Sequence, residues 1–518
     1  MELLIGFFIL VYAVDILLLF YYGLHAYAMV GLYLKNNHRC QSDSQENKNL
    51  LAKSKMRGWP KVTIQLPMFN EYYVIDRLID ATIKLDYPKN KLEIQILDDS
   101  TDDSRLVAQK KVKEYKKKGF DITYIHRTNR DGHKAGAMRE ATKVAKGQYI
   151  AVFDADFLPN PQFLKKTVPH FFTNPNIGMV QTRWSHINED YSILTKAQSI
   201  GIDGHFMVEQ VARNGSDLWM NFNGTAGIWN RECIEDAGGW QSDTLTEDFD
   251  LSYRAELKGW KFKYLTDIAN PAELPATVQA FKTQQFRWCK GSIQTAVKLI
   301  PRIWKSNESW KIKLEALTHL TNYSVHPLMI INILVTLPLL LFHERFEHIS
   351  LAVLFGAAFI LSIGTFGPMV FYAVSQRALH KDWKHRMLWL PVLTMIGTGV
   401  AINNTRAWIE AVIGKKSEFV RTPKLKIESQ KDKVAERSRY KTKKIDNNAY
   451  LELLMAFYIT FTIVTAFIVD KWFVVPFLAL YAAGFYYVSF YTFLETFKLN
   501  RDSRKNEEKK AQQTKAKI

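Results

Sequence analysis

The sequence predicts an α/β domain on a Rossmann-like mixed sheet, set between helices that cross a membrane. Three observations point there. Strand-like and helix-like patterns alternate through residues 60–300, the signature of right-handed βαβ units and a mostly parallel sheet. Long apolar runs occupy 3–34 and 322–497, whereas 60–320 reads as a water-facing α/β domain. Short acidic and aromatic signatures, LDDS (97–100), FDAD (153–156), TED (246–248) and QQFRW (284–288), follow one another in order. At 518 residues the chain is too long for one ordinary domain.

The first apolar stretch, MELLIGFFILVYAVDILLLFYYGLHAYAMVGLYLK, lacks the basic start of a signal peptide and is too long for one. A bilayer core takes about 20 apolar residues in a helix, so this is one span with a helical extension. Asp15 within it reads either as a functional intramembrane charge or as a solvated position near the outer end. Residues 35–60 are polar and irregular, a linker. VTIQL (62–66) is a strand, 71–85 has helical spacing, LEIQIL (92–97) is a strand and 103–118 a helix. DITYIH (121–126), a helix over about 134–146, and the strand YIAVF (149–153) repeat the unit. Ligands of such sheets bind beyond the carboxyl ends of the strands, where Asp98, Asp99, Asp154 and Asp156 fall. The domain is taken as 61–300.

Further spans are expected at 323–342, 349–374, 450–469 and 472–493, within a helical region 301–414 and a C-terminal hairpin 449–497. The apolar segment 387–402 has basic residues on both sides, KDWKHR before and RAWIEAVIGKK after. A crossing would leave one basic flank outside, against the positive-inside tendency, so 387–413 is read as interfacial or re-entrant. Five spans result, with the N-terminus outside and the C-terminus inside. Much of the net charge of +18 lies in the tracts 415–444 and 498–517. Their position beside spans fits an anionic leaflet and sets nucleic acid aside as a partner. Three cysteines (Cys40, Cys233, Cys289) show no metal spacing and no disulfide framework, which suits a reducing compartment.

The two carboxylates of DAD, one residue apart at the end of a buried strand, can share one hard cation and leave room for phosphate oxygens. Mg²⁺ and Mn²⁺ are held that way, so Asp154 and Asp156 are the metal candidates. Asp98 and Asp99 can serve a nucleoside or its phosphates, while Ser100 or Asp102 can cap the following helix. Lys134, in the small-residue turn HKAGAM (133–138), suits a pyrophosphate or is a surface lysine. Glu247 and Asp248 suit removal of a proton from an acceptor hydroxyl. A capping box fits poorly, because Phe249 stands where an acidic or amide residue would be needed. On a helix over 276–300, Arg287 can grip a diphosphate and Trp288 can stack on a sugar, beside Gln284. An Arg and a Trp on an ordinary amphipathic helix would look the same in isolation.

Taken with QLPMFNE (65–71), FNGTAG (222–227), AGGW (237–240), KGWKF (258–262), ELPAT (273–277), NNTRA (403–407) and GKKSEFVRTPK (414–424), these signatures resemble glycosyltransferase family 2. More narrowly they are similar to the cellulose synthase-like A and C branches, which make β-linked mannan, glucomannan or glucan backbones. The resemblance spans roughly 60–425. It implies a cytosolic GT-A domain in which Asp98, Asp99, Lys134, Gln284, Arg287 and Glu71 bind the donor. Asp154 and Asp156 would hold Mg²⁺ or Mn²⁺, Asp248 with Glu247 would act as base in an inverting transfer, and Trp288 would meet the acceptor. FVRTPK (419–424) resembles the gating loop of processive synthases. RWCKG departs from the plant members, and no cyclic-dinucleotide control is expected.

The resemblance thus implies a membrane-embedded processive glycosyltransferase, with nucleotide sugar, growing polysaccharide and lipid bilayer as partners. UDP-glucose is the favoured donor and GDP-mannose the other. The membrane would be the plasma or inner membrane, or the Golgi in a eukaryote. A nonprocessive enzyme making a glycolipid and an inactive export scaffold are the competing readings.

Overall fold

The structure, a computed structural model, describes residues 2–40, 49–50, 52, 56, 58–342, 351–417, 419–432, 434, 440 and 446–515, without the side chains of 351–362 and 502–515. Most of the predicted linker 35–60 lies outside the described residues. The domain holds seven strands: β1 (Val62–Met68), β2 (Leu92–Asp98), β3 (Asp121–His126), β4 (Tyr149–Val152), β5 (Ile177–His186), β6 (Gly227–Asn230) and β7 (Lys261–Ala272). They form one sheet in the order β3-β2-β1-β4-β6-β5-β7. All its pairings are parallel except those of β6, which runs against both β4 and β5.

Apolar runs became strands here because both faces are covered. β1 and β2 are buried at every residue, as parallel strands flanked by helices are. The period of two sorts β4 cleanly: Ala151 joins the core with Ile64, Ile94 and Phe153, while Ile150 and Val152 join Trp229, Trp240 and Met138 on the other face. Helices α2 (Ile75–Ile83), α3 (Ser104–Lys117) and α4 (His133–Val144) make the crossovers. The chain runs outward from β1 through β2 to β3, then returns to place β4 on the other side of β1. That reversal opens a crevice at the strands' carboxyl ends, where LDDS and FDAD sit.

Helix α1 (Glu2–Asn36) is continuous, and its last turns bury Met29, Val30 and Tyr33 in the domain core. The membrane helix and the domain are therefore one packed unit. A β-carbon on Gly23 would lie 2.1 Å from the carbonyl oxygen of Gly364, so these helices touch backbone to backbone. Asp15 is buried, 2% exposed, and accepts a hydrogen bond from Asn332 Nδ2 at 3.2 Å; the solvated reading does not hold.

By length and composition, four helices among the described residues can cross a membrane: Leu3–Cys40, Trp310–Leu341, Asn448–Ile468 and Trp472–Arg501. Of the expected span at 349–374, residues 351–374 belong to the helix Leu351–Leu379, and 349–350 lie outside the described residues. Segment 387–413 is helical but bends by 46° between Gly399 and Ala401, as a broken span or re-entrant segment does.

Candidate active site

LDDS, FDAD, TED and QQFRW meet at a cavity of about 180 Å³ beneath the FVRTPK segment. Its lining includes Glu71, Asp99, Lys134, Asp154, Asp156, Glu247, Asp248, Gln284, Arg287 and Trp288. Each arrives by a local rule. Asp154 and Asp156 follow β4, and the backbone N–H of Asp154 donates to Thr225 Oγ1 at 2.9 Å. Glu247 and Asp248 open the helix α5 (Glu247–Leu257), whose N-terminal dipole favours carboxylates. Gln284, Arg287 and Trp288, spaced i, i+3 and i+4, share one face of α6 (Val278–Lys305).

Asp98 is the exception among the expected residues. It is fully buried outside the cavity, accepting Tyr124 O–H at 2.5 Å and the Ser100 backbone N–H at 2.7 Å. Its carboxylate is engaged at the strand end and does not line the cavity. Asp99 does reach the cavity, where Arg127 grips both its oxygens, Nε at 2.9 Å and Nη2 at 2.5 Å. The N-cap position of α3 is Asp103, which makes no side-chain cap; Asp102, one residue earlier, accepts the backbone N–H of Ser104 at 2.9 Å, and Ser100 Oγ accepts that of Asn70.

Lys134 lies at the centre of the acids and is not a surface residue. Its Nζ stands 2.7 Å from Asp154 Oδ1 and 3.7 Å from Glu247 Oε1, and donates to the Gly224 carbonyl at 2.8 Å. Burial works to lower its pKa, but Asp154, Glu247 and Asp248 outweigh that and raise it. The small residues of HKAGAM have a packing cause, since a β-carbon on Gly136 would lie 1.9 Å from the Asp131 carbonyl oxygen.

Asp248 is held near neutrality. Burial, then the neighbouring Glu247 charge, push its pKa up to about 7 against the pull of Lys134 and of backbone N–H groups. Gly224, at φ +78°, lies so close that a β-carbon there would be 2.9 Å from Asp248 Oδ2. Arg287 has its pKa lowered by burial, against Glu247, Asp154, Asp248 and Asp156. Gln284 Oε1 is buried and has no hydrogen-bond partner among the described residues.

The segment after residue 418 covers this cavity through charge. Arg421 Nη1 pairs with Glu71 Oε2 at 2.7 Å, and Lys424 pairs with Asp156. Both oxygens of Glu273 accept backbone N–H groups, of Leu425 and Lys426, at 2.9 Å each. Phe419 stacks on His133 with ring centres 5.5 Å apart, beneath the Arg287 guanidinium at 4.9 Å. Burial raises Glu71 to a pKa of about 7, although Arg421 and Lys424 oppose it.

The residues that sequence reasoning missed are Glu273, Arg421, Lys424, Arg130 and Asn223, all lining the cavity. Four of them lie inside ELPAT, FVRTPK and FNGTAG, so the signal was present without an assigned role. Seven carboxylates and five Lys or Arg side chains line the cavity, an acidic excess that suits a divalent cation. The Asp154 and Asp156 oxygens are hard donors, and each already faces an ammonium in the place a cation would take. Among the described residues no three His, Cys, Asp or Glu side chains gather into a metal site, so substrate phosphates or water would complete the shell.

Residues 60–291 match the model of glycosyltransferase-like family 2. Curated relatives include glucomannan 4-beta-mannosyltransferase 2 of Arabidopsis thaliana, 42% identical over 260 residues, 49% of each chain. Another is the probable glucomannan 4-beta-mannosyltransferase 7 of Oryza sativa subsp. japonica, 45% identical over 242 residues, 46% of this chain and 41% of that one. The chain thus matches about half the length of these relatives or less. A solved mannosyltransferase, PcManGT from Pyrobaculum calidifontis in complex with GDP-Man and Mn²⁺, aligns with 77% of this chain and all of its own, at 17% identity and a TM-score of 0.48.

Proposed function

We propose that this chain, whose residues 60–291 form a family 2 glycosyltransferase domain packed against membrane helices, is an inverting, processive glycosyltransferase extending a β-linked mannan or glucomannan. The observation that carries this reading is the placement of Asp248. It is a carboxylate poised near pH 7, among the Asp154, Lys134 and Arg287 charges and facing the α6 residues across one cavity. The relatives are named as mannosyltransferases, which turns the donor expectation from UDP-glucose toward a mannose nucleotide such as GDP-mannose.

In this mechanism the acceptor hydroxyl approaches the anomeric carbon with Trp288 beneath the sugar. Asp248 takes the hydroxyl proton as the new C–O bond forms. The bond to the leaving phosphate oxygen breaks on the opposite face, and the nucleoside diphosphate departs with the electron pair. Arg287 and Lys134 neutralise that leaving group; one preorganised partner of this kind is typically worth about 3 kcal/mol of barrier. Asp154 and Asp156 would hold a divalent cation, which when bound supplies further neutralisation of the diphosphate. Gln284, with its unpaired oxygen, orients either sugar or acceptor.

Space supports a moving cover. The cavity of about 180 Å³ is smaller than the roughly 300–1,000 Å³ of small-molecule sites, so FVRTPK must swing away to admit a donor. Its Arg421 and Lys424 would then exchange carboxylates for phosphate oxygens on closing. The domain would lie on the cytosolic side, which suits three buried free cysteines, and the helices offer a route for a polymer too polar for lipid. Incubation of the purified chain with GDP-mannose or UDP-glucose, followed by product sizing and linkage analysis, tests the proposal. A single sugar on lipid would favour the glycolipid reading, and no transfer from any donor would leave a scaffold.

A further inference from the structure

On the membrane side of the molecule, α7 (Val325–Leu341), α8 (Ala401–Val412) and α9 (Asn448–Ile468) leave a groove of about 630 Å³. Its walls are apolar, with Leu334, Ile409, Leu451 and Leu454 among them, and one end is closed by Arg406, Glu410 and Lys415. Among the described residues that end is unbalanced. Three cations converge on the single Glu410 carboxylate: Lys290 Nζ at 2.9 Å, Arg406 Nε at 3.0 Å and Lys415 Nζ at 3.3 Å. Lys290 is fully buried, while Arg406 and Lys415 keep 50% and 58% of their side chains exposed. The nearby acids Asp446 and Glu452 offer no relief, because both are drawn to Lys282, at 2.6 and 2.7 Å.

A long apolar groove ending in surplus exposed cations matches one chemistry, an acyl chain carrying a phosphate. Arg and Lys at the end of a membrane helix lift their heads to the interface, where each adds attraction for anionic lipid. We infer that this groove binds an anionic phospholipid, with an acyl chain along Leu334, Leu454 and Ile409 and the phosphate on Arg406 and Lys415. The site rests on reading these helices as membrane helices and is separate from the transfer chemistry. It nevertheless backs onto the candidate active site: the Arg406 guanidinium lies 5.6 Å from the ring centre of Phe286, on the helix that carries Gln284, Arg287 and Trp288.

Native mass spectrometry of the full chain, titrated with phosphatidylglycerol or phosphatidylcholine, tests this without any activity readout. The wild type should retain phosphatidylglycerol at about a tenfold lower concentration or better, since each basic residue at the surface contributes roughly fivefold. The double variant Arg406→Gln, Lys415→Gln should bind the two lipids alike. Leu454→Trp, at a position 64% exposed and thus harmless to folding, should fill the groove and abolish retention of both. Equal retention of the two lipids by the wild type overturns the site, as does an undiminished phosphatidylglycerol preference in either variant.

Discussion

Replacing Asp248 by Asn isolates the proposed base with little disturbance to the fold. The amide is nearly isosteric, can still accept the Phe249 backbone N–H, which lies at 2.9 Å, and still fits against Gly224. Lys134 keeps Asp154 and Glu247 as partners. What is lost is a proton acceptor, worth roughly 10²- to 10⁴-fold, or about 3–5 kcal/mol of barrier at 1.36 kcal/mol per tenfold. The assay is initial-rate transfer at saturating donor, with donor affinity by calorimetry on the same protein. The expected outcome is a fall in kcat of that size with donor Kd within about threefold. The pH profile adds a second readout. A base must be ionised to act, and burial and Glu247 raise Asp248 to about 7, so wild-type kcat/KM should climb as pH rises through about 7 and the variant should lose that limb. Glu71→Gln is the control, because Glu71 is also raised to about 7 and the limb should survive its removal. A variant within tenfold of wild type, or one that keeps the limb, refutes Asp248 as the base.

Other outcomes follow from the same geometry. Gly224→Ala should lose about 1–2 kcal/mol of stability through its left-handed backbone, read by chemical unfolding, and should lower kcat by crowding the Asp248 carboxylate. Glu273→Gln weakens the anchor of the covering segment; losing a charged acceptor of about 1 kcal/mol should raise donor KM roughly fivefold with kcat little changed. Chelation with EDTA should stop transfer, and Mg²⁺ or Mn²⁺ should restore it; full activity in EDTA contradicts the assignment of Asp154 and Asp156.

The first half of the sheet was legible because its signals are local. β1, β2 and β4 are short apolar runs, with acids at or just beyond the ends of β2 and β4, and all are buried. The sharing of one cavity by FDAD, TED and QQFRW followed from the carboxyl-end rule and from helical spacing. What escaped was tertiary. Nothing in LDDS tells which aspartate turns inward, since the choice depends on Tyr124 from β3 and Arg127 just beyond it. HKAGAM alone left Lys134 open between a phosphate contact and a surface lysine, because Asp154, Glu247 and Gly224 reach it from three distant segments. Glu273 and Lys424 were invisible as site residues because their partners lie about 150 and 270 positions away along the chain. The burial of Asp15 likewise depends on Asn332 of another helix.

The central claim is best tested by supplying the purified full chain, in lipid, with GDP-mannose labelled in the sugar, plus Mg²⁺ or Mn²⁺. The account predicts a labelled polymer of β-linked mannose whose length grows with time, and none from the Asp248→Asn variant. A product limited to one sugar on lipid, or a polymer made equally well by the variant, would contradict it.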